Sequence, residues 1–91
     1  MTDAEMVRRG ERAKRLLEDE MLVGAFDAVH GAIVRKWEET PLRDRDGAHE
    51  LRLMLKLLKD VRVNLETAVR DGKLSALHIE QEKRKKRFGV F

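Results

Sequence analysis

Residues 22–37, with the sequence LVGAFDAVHGAIVRKW, decide the fold class. The large apolar residues of this stretch recur at intervals of three or four positions, and they are Leu22, Phe26, Val29, Ile33 and Trp37. Because successive residues of an α-helix are about 100° apart around its axis, these side chains share one face of a helix. The stretch therefore predicts an amphipathic helix.

The opposite face of this helix carries small residues: Gly24, Ala28, Gly31 and Ala32. A glycine inside a helix costs about 1 kcal/mol relative to alanine. Two such glycines favour close packing of a second helix, from the same chain or from another copy of it. The alternative is that both glycines are tolerated on a solvated face.

A break at residues 40–47 separates this helix from a second long one. Pro41 disfavours helical geometry at Thr40, so the first long helix should end near Glu39. Asp44 or Asp46 can cap the second long helix, which we place at residues 48–70. A short connection of this kind predicts an antiparallel helical hairpin.

The second long helix has one broad apolar stripe and a few apolar residues outside it. The stripe comprises Leu51, Met54, Leu55, Leu58, Val61, Leu65, Ala68 and Val69. Leu53 and Val63 lie off the stripe, which favours an interface at these positions. Asp71-Gly72 has the composition of a helix stop.

Two further helices complete an all-α prediction. Thr2 and Glu5 have the spacing of a capping box at the start of an N-terminal helix, and Asp19 can cap the helix that follows. Whether these first two helices are continuous is left open. A short C-terminal helix after Gly72 should lead into a basic tail. We expect a single helical domain at residues 1–82 and a separate tail at 83–91.

The positive charge of the chain is concentrated in that tail. The 91 residues carry a net charge of +3, yet residues 1–82 hold 15 basic and 17 acidic side chains, which leaves that part at −2. Residues 83–87 add five basic side chains and no acid. Such a block predicts an arm that attaches to an acidic partner, or else a solvated end.

The sequence offers little for catalysis, for a cofactor or for a membrane. Its three histidines lie on different predicted segments and its glycines are scattered singly, so no metal motif or phosphate loop is present. There is no cysteine. No apolar run approaches the roughly 20 residues that cross a bilayer, and the first residues lack a signal peptide pattern. We expect a non-enzyme made in a cytoplasm, with no cofactor.

Nucleic-acid binding is one functional hypothesis. Four basic residues share a sector of the second long helix, and with the tail they could contact phosphates in a salt-dependent way. The candidate residues are Arg52, Lys56, Lys59, Arg70, Lys83, Arg84, Lys85, Lys86 and Arg87. The aromatic residues that stack on unpaired bases are missing from these regions, apart from Phe88.

Several stretches resemble short helical proteins encoded in tailed bacteriophage and prophage genomes. They are residues 9–17 (RGERAKRLL), Ala25-Phe26, Trp37 and residues 40–44 (TPLRD), leading into 51–58. The resemblance covers roughly residues 8–75, and the basic tail lies beyond it. It implies a phage protein that acts in the virion, or in the host cytoplasm during assembly.

The favoured hypothesis is therefore a non-enzymatic phage virion or assembly component that binds protein subunits and forms a homo-oligomer. The alternatives are a DNA-binding accessory protein of packaging or regulation, and a small inhibitor of a host protein. The candidate protein-interface residues are Leu22, Gly24, Phe26, Ala28, Gly31, Ile33, Trp37, Leu53, Val63, Phe88, Val90 and Phe91.

Overall fold

The structure, a computed structural model, describes residues 1–87 and is all-helical over them. Helix α1 spans Asp3–Glu18, helix α2 spans Glu20–Glu39 and helix α3 spans Arg45–Arg87. Their lengths are 16, 20 and 43 residues. The described residues contain no strand, so the all-α prediction is confirmed.

The helix boundaries follow the local capping signals. The hydroxyl of Thr2 accepts a hydrogen bond from the backbone N–H of Glu5 at 3.1 Å. Asp19 lies between the first two helices, which are therefore not continuous. Its carboxylate accepts a hydrogen bond from the N–H of Leu22 at 3.0 Å and caps α2. Asp44, rather than Asp46, caps α3 by accepting from the N–H of Gly47 at 3.0 Å. These side chains satisfy N–H groups that the first turn of a helix leaves without partners.

The predicted stop at Asp71-Gly72 is wrong, because α3 continues without interruption to Arg87. The expected short C-terminal helix is therefore the last part of α3. The helix also begins at Arg45, three residues before the predicted start. Residues 83–87 of the predicted tail are helical, and the remaining tail lies outside the described residues.

The chain divides into two compact units. The first unit combines Met1–Leu17 with the segment that begins at Asn64, and the second unit is Glu18–Val63. Helix α3 contributes residues to both. Whether residues 1–82 behave as one domain stays a prediction.

In the first unit, two glycines bring α1 and α3 into backbone contact. A Cβ atom added to Gly10 would lie 2.9 Å from the carbonyl oxygen of Ala68 and 2.9 Å from the Cα of Gly72. A Cβ atom added to Gly72 would lie 2.9 Å from the Cα of Gly10 and 3.0 Å from the carbonyl oxygen of Met6. Gly72 is thus a packing position, which explains why it does not end the helix.

A polar contact lies further along the same pair of helices. The ring Nδ1 of His78 lies 2.5 Å from the carboxylate of Asp3, and the buried Ser75 lies one turn before His78. The hydrogen bond with Asp3 raises the pKa of His78 above its ordinary value. The same bond, assisted by Ser75, lowers the pKa of Asp3. Each group therefore favours the charged form of the other.

The second unit has a small core between α2 and the first part of α3. Ile33 lies six residues before the end of α2, and Leu51 lies six residues after the start of α3. Each is only 7 % exposed. Leu22, Phe26, Leu55 and Leu58 are half-buried. Among the described residues, no large side chain is less than 2 % exposed. The apolar residues of this unit are therefore only partly removed from water.

Candidate protein-interaction surface

One side of the second unit is a groove that charged and apolar residues line together. It is an open cavity of about 710 Å³ with an apolar floor that includes Phe26, Leu55 and Leu58. Its charged or titratable lining residues are Asp27, His30, Arg52, Lys56, Lys59, Asp60 and Arg62. These residues come from both α2 and α3. They identify the side of each helix that faces the groove.

Six apolar residues lie away from this groove. Each lies two positions from a charged or titratable groove residue, and therefore about 160° from that residue around its helix. We call this set the apolar face, and it comprises Ala25, Val29, Ala32, Met54, Leu57 and Val61. Since these residues lie opposite charged groove residues on both helices, both helices present the apolar face on the side away from the groove.

The apolar face is open to solvent. The exposed fractions are 48 % for Val29, 49 % for Met54, 64 % for Leu57 and 53 % for Val61. Ala25 and Ala32 are exposed as well. Exposed apolar residues that adjoin one another on a soluble protein mark an interaction site more often than scattered single ones.

This exposure divides the predicted stripe of α3. Met54 and Val61 are about half exposed, whereas Leu51 is buried and Leu55 and Leu58 are half-buried. The apolar arc of the helix is wider than one neighbouring helix can cover. Leu57, which was left out of the stripe, lies between them on the exposed side. Its spacing of four from Leu53 and Val61 is the sequence signal that identifies this second row.

The residues predicted to form a protein interface are divided between the interior and the surface. Ile33 is buried in the second unit, and Leu22 and Phe26 are half-buried. Trp37, Leu53 and Val63 remain exposed. Phe88, Val90 and Phe91 lie outside the described residues.

The small face of α2 packs against nothing within the described chain at its first glycine. A Cβ atom added to Gly24 would meet no atom within 4 Å, whereas one on Gly31 would lie 3.5 Å from the guanidinium of Arg35. Ala28 is exposed and Gly31 is half-buried. Close helix packing at this face therefore stays a hypothesis about a partner.

The basic residues proposed for nucleic acid lie at three places. Arg52, Lys56 and Lys59 line the groove, where Asp27 and Asp60 also lie. Arg70 belongs to the first unit and lies 3.5 Å from Asp71. The last cluster is in the final turns of α3, and it comprises Lys83, Arg84, Lys85, Lys86 and Arg87.

Part of this last cluster is paired with acidic residues of the same helix. Arg84 lies 3.0 Å from Glu80, and Lys85 lies 3.7 Å from Glu82. Exposed pairs at these spacings are worth a few tenths of a kcal/mol. They leave the cationic groups accessible to a competing phosphate.

Within residues 1–87, no three His, Cys, Asp or Glu side chains are grouped so that they could hold a metal ion. None of the described helices has a segment both long enough and apolar enough to cross a membrane.

Comparison with known proteins found no matching family model, no similar curated protein and no similar solved structure.

Proposed function

We propose that this chain is a non-enzymatic subunit that binds other protein subunits through the apolar face of its second unit. The observation that supports the proposal is the row of exposed large side chains at Met54, Leu57 and Val61. Burying an exposed Val, Leu or Met side chain contributes about 1.5–3 kcal/mol when its whole surface is covered. A partner that covers this row therefore gains most of its binding energy there.

The proposal includes an antiparallel arrangement of α2 and the start of α3. Two features favour it: the five residues between Glu39 and Arg45, and the burial of Ile33 and Leu51 at equal distances from this connection. Short connections join antiparallel helical neighbours. In this arrangement the apolar face is a two-helix platform.

The biological setting in this proposal is a tailed phage, either in the virion or during its assembly in the host. It rests on the resemblance of residues 8–75 to short helical phage proteins. Small helical subunits suit such a role because they bury little surface on their own and complete their cores by association.

The proposal can be tested by placing a photo-crosslinking amino acid at Leu57 and, as a matched control, at Leu42. Both are exposed leucines of the second unit, but Leu42 lies in the connection and not on the apolar face. The experiment uses host cells that also make the other phage proteins. We expect a discrete cross-linked product from position 57 and none from position 42.

The mass of the cross-linked product identifies the kind of partner. A product with a phage structural protein or with the chain itself supports the assembly role. A single one-to-one product with a host protein would favour the inhibitor. Equal labelling from both positions, or none, would refute binding through the apolar face.

DNA binding is the second candidate function, and the five consecutive basic residues on the last turns of α3 favour it. If these residues bind phosphates, replacement of Lys83, Lys85 and Lys86 by Gln should weaken binding to a DNA duplex and reduce its dependence on salt concentration. The matched control is the replacement of Arg8, Arg12 and Lys14 by Gln, which removes the same charge from exposed positions outside the candidate set. Binding that does not respond to salt, or no binding at low salt, would remove this candidate.

A further inference from the structure

We infer that the partner on the apolar face is a second copy of this chain, and that a two-fold axis parallel to the helices relates the two copies. Helix α2 of one copy then lies on α3 of the other. This inference rests on the proposed function and names its partner. It follows from the size of the face, the spacing of its side chains and the charges beside it.

The size of the face suits a dimer. With the adjoining Met21 and Leu53, the apolar face offers six large side chains that are 46–84 % exposed. This number suits an interface at the lower end of the range for specific complexes, whose standard size is about 800 Å² per partner.

The side chains of the face complement one another across such an axis. On α2 the face is formed mainly by small residues, and on α3 it is formed by large ones. A two-fold axis parallel to the helices leaves every residue at its own height along the axis. In the antiparallel arrangement proposed above, Ile33 and Leu51 lie at the same height, and this sets the register between one copy and the other. Along the two facing helices, the side chains then follow one another in the order Ala32, Met54, Val29, Leu57, Ala25 and Val61. In this order each α2 residue of one copy is followed by an α3 residue of the other.

This alternation is the pattern of knobs and holes in packed helices. The large side chains of α3 enter the spaces between the small residues of the partner's α2. By symmetry, the same contact occurs twice, as an isologous interface requires. The other two-fold arrangement would stack α2 on α2 and α3 on α3, which opposes small residues to small ones and large residues to large ones.

One pair of charges lies beside this contact. Lys36 lies one turn after Ala32 on the same side of α2, and Glu50 lies one turn before Met54 on the same side of α3. Both are exposed, and in the proposed register they lie at nearly the same level on facing helices of the two copies. The dimer therefore contains two ion pairs between Lys36 of one copy and Glu50 of the other.

This charge pair allows a test by mixing. The variants Lys36→Glu and Glu50→Lys each place two like-charged pairs in their own dimer, so each should raise the dissociation constant on the order of tenfold. An equimolar mixture of the two variants should recover association, because each heterodimer regains two opposite-charge pairs. The readout is the solution mass of the full chain by light scattering at matched concentrations, with helix content by circular dichroism as the folding control.

The mixing experiment separates contacts between copies from contacts within one copy. Recovery in the mixture supports the inference, since charges within each chain are unchanged by mixing. A mixture whose mass equals the average of its components would overturn it. A wild-type chain that stays monomeric over the whole concentration range would also overturn it, and this measurement needs no variant.

The proposed function fails in a different way. If position 57 cross-links to another protein while the isolated chain stays monomeric, the binding role stands and the second copy is excluded. If position 57 gives no cross-link to any protein, both are refuted.

Discussion

The two units use glycine in opposite ways. In the first unit, Gly10 and Gly72 meet at a helix crossing with no room for a Cβ atom on either side. In the second unit, Gly24 lies in the second turn of α2, and a Cβ atom there would meet no atom within 4 Å. The same residue type therefore marks a completed contact in one unit and an open surface in the other.

The apolar side chains follow the same division. The described part of the first unit exposes Met1, Leu16, Leu74 and Leu77, of which Leu74 and Leu77 lie one turn apart on α3. The second unit exposes a row of large side chains on α3 beside the small exposed residues of α2. Small residues on one helix form a close contact only where a second helix packs against them. For the second unit, we propose that this second helix belongs to another subunit.

The largest expected effect is on association. The substitution Leu57→Glu places a carboxylate in the middle of the apolar face, where burial of an unpaired charge is strongly unfavourable. We expect the dissociation constant to rise about a hundredfold or more, measured as the loss of dimer mass in light scattering. The control Leu42→Glu adds the same charge in the connection and should leave the mass unchanged. Equal effects of the two substitutions would show that association does not occur through the apolar face.

The next effect is on the crossing in the first unit. The substitution Gly72→Ala adds a methyl group against the Cα of Gly10 and the carbonyl of Met6, which are backbone atoms that cannot rotate away. Overpacking of this kind costs about 1–3 kcal/mol, against a gain of up to about 1 kcal/mol in helix propensity. We expect the free energy of unfolding to fall, as measured by urea denaturation at one fixed protein concentration. An unchanged or higher value would contradict the close crossing.

The matched change in the second unit should have the opposite sign. The substitution Gly24→Ala adds a methyl group in open space inside a helix, so it should raise the free energy of unfolding by about 0.5–1 kcal/mol. The same denaturation experiment measures it. A loss of stability would instead indicate that a second helix packs closely against Gly24.

The smallest effect concerns the pH dependence of the first unit. His78 has a raised pKa, so its contribution is complete below about pH 6.5, the unfolded value, and is lost as the pH rises through the folded pKa. Asp3 has a lowered pKa, so its contribution is present above about pH 4 and is lost as the pH falls. The pair therefore stabilises most between about pH 4 and 6.5. Because both groups are well exposed, the effect is small.

This pH dependence can be measured as the thermal midpoint between pH 5.5 and 8.5. We expect the midpoint of the native chain to be lower at pH 8.5, and the difference to shrink in the variant His78→Gln. Glu82, whose carboxylate lies 3.9 Å from the other ring nitrogen, also raises the pKa of His78, and Lys85 opposes it. The variant Glu82→Gln should therefore reduce the dependence without removing it. An identical pH dependence in His78→Gln would exclude the pair as its source.

The parts of the fold that were predictable from sequence are those set by neighbouring residues. Asp19, Pro41 and Asp44 act on the backbone within one turn of themselves, so their patterns located the ends of α2 and the beginning of α3 to within a few residues. Gly72 has the same local signature as a helix stop. Its role depends on Gly10, which lies far away in the sequence, and no local pattern contains that contact.

The candidate surface was only partly predictable for a related reason. Periodicity shows which residues of α3 are apolar, but it does not show where the neighbouring helix lies. The sequence pattern places Leu53 outside the main stripe, puts Met54 and Val61 on the same stripe as Leu51, and gives Leu57 no place on that stripe. Leu51 is buried while Leu57 is exposed, and only the tertiary structure shows where the apolar arc divides into a covered part and an exposed part.

The most direct test of the contrast between the units is amide hydrogen exchange, measured by mass spectrometry at increasing protein concentration. Association protects the helices that it buries and leaves unrelated segments unchanged. We predict that protection rises with concentration in peptides from residues 20–39 and 48–63, and stays constant in peptides from residues 3–17. Protection that is independent of concentration throughout, or that rises only in residues 3–17, would contradict the account.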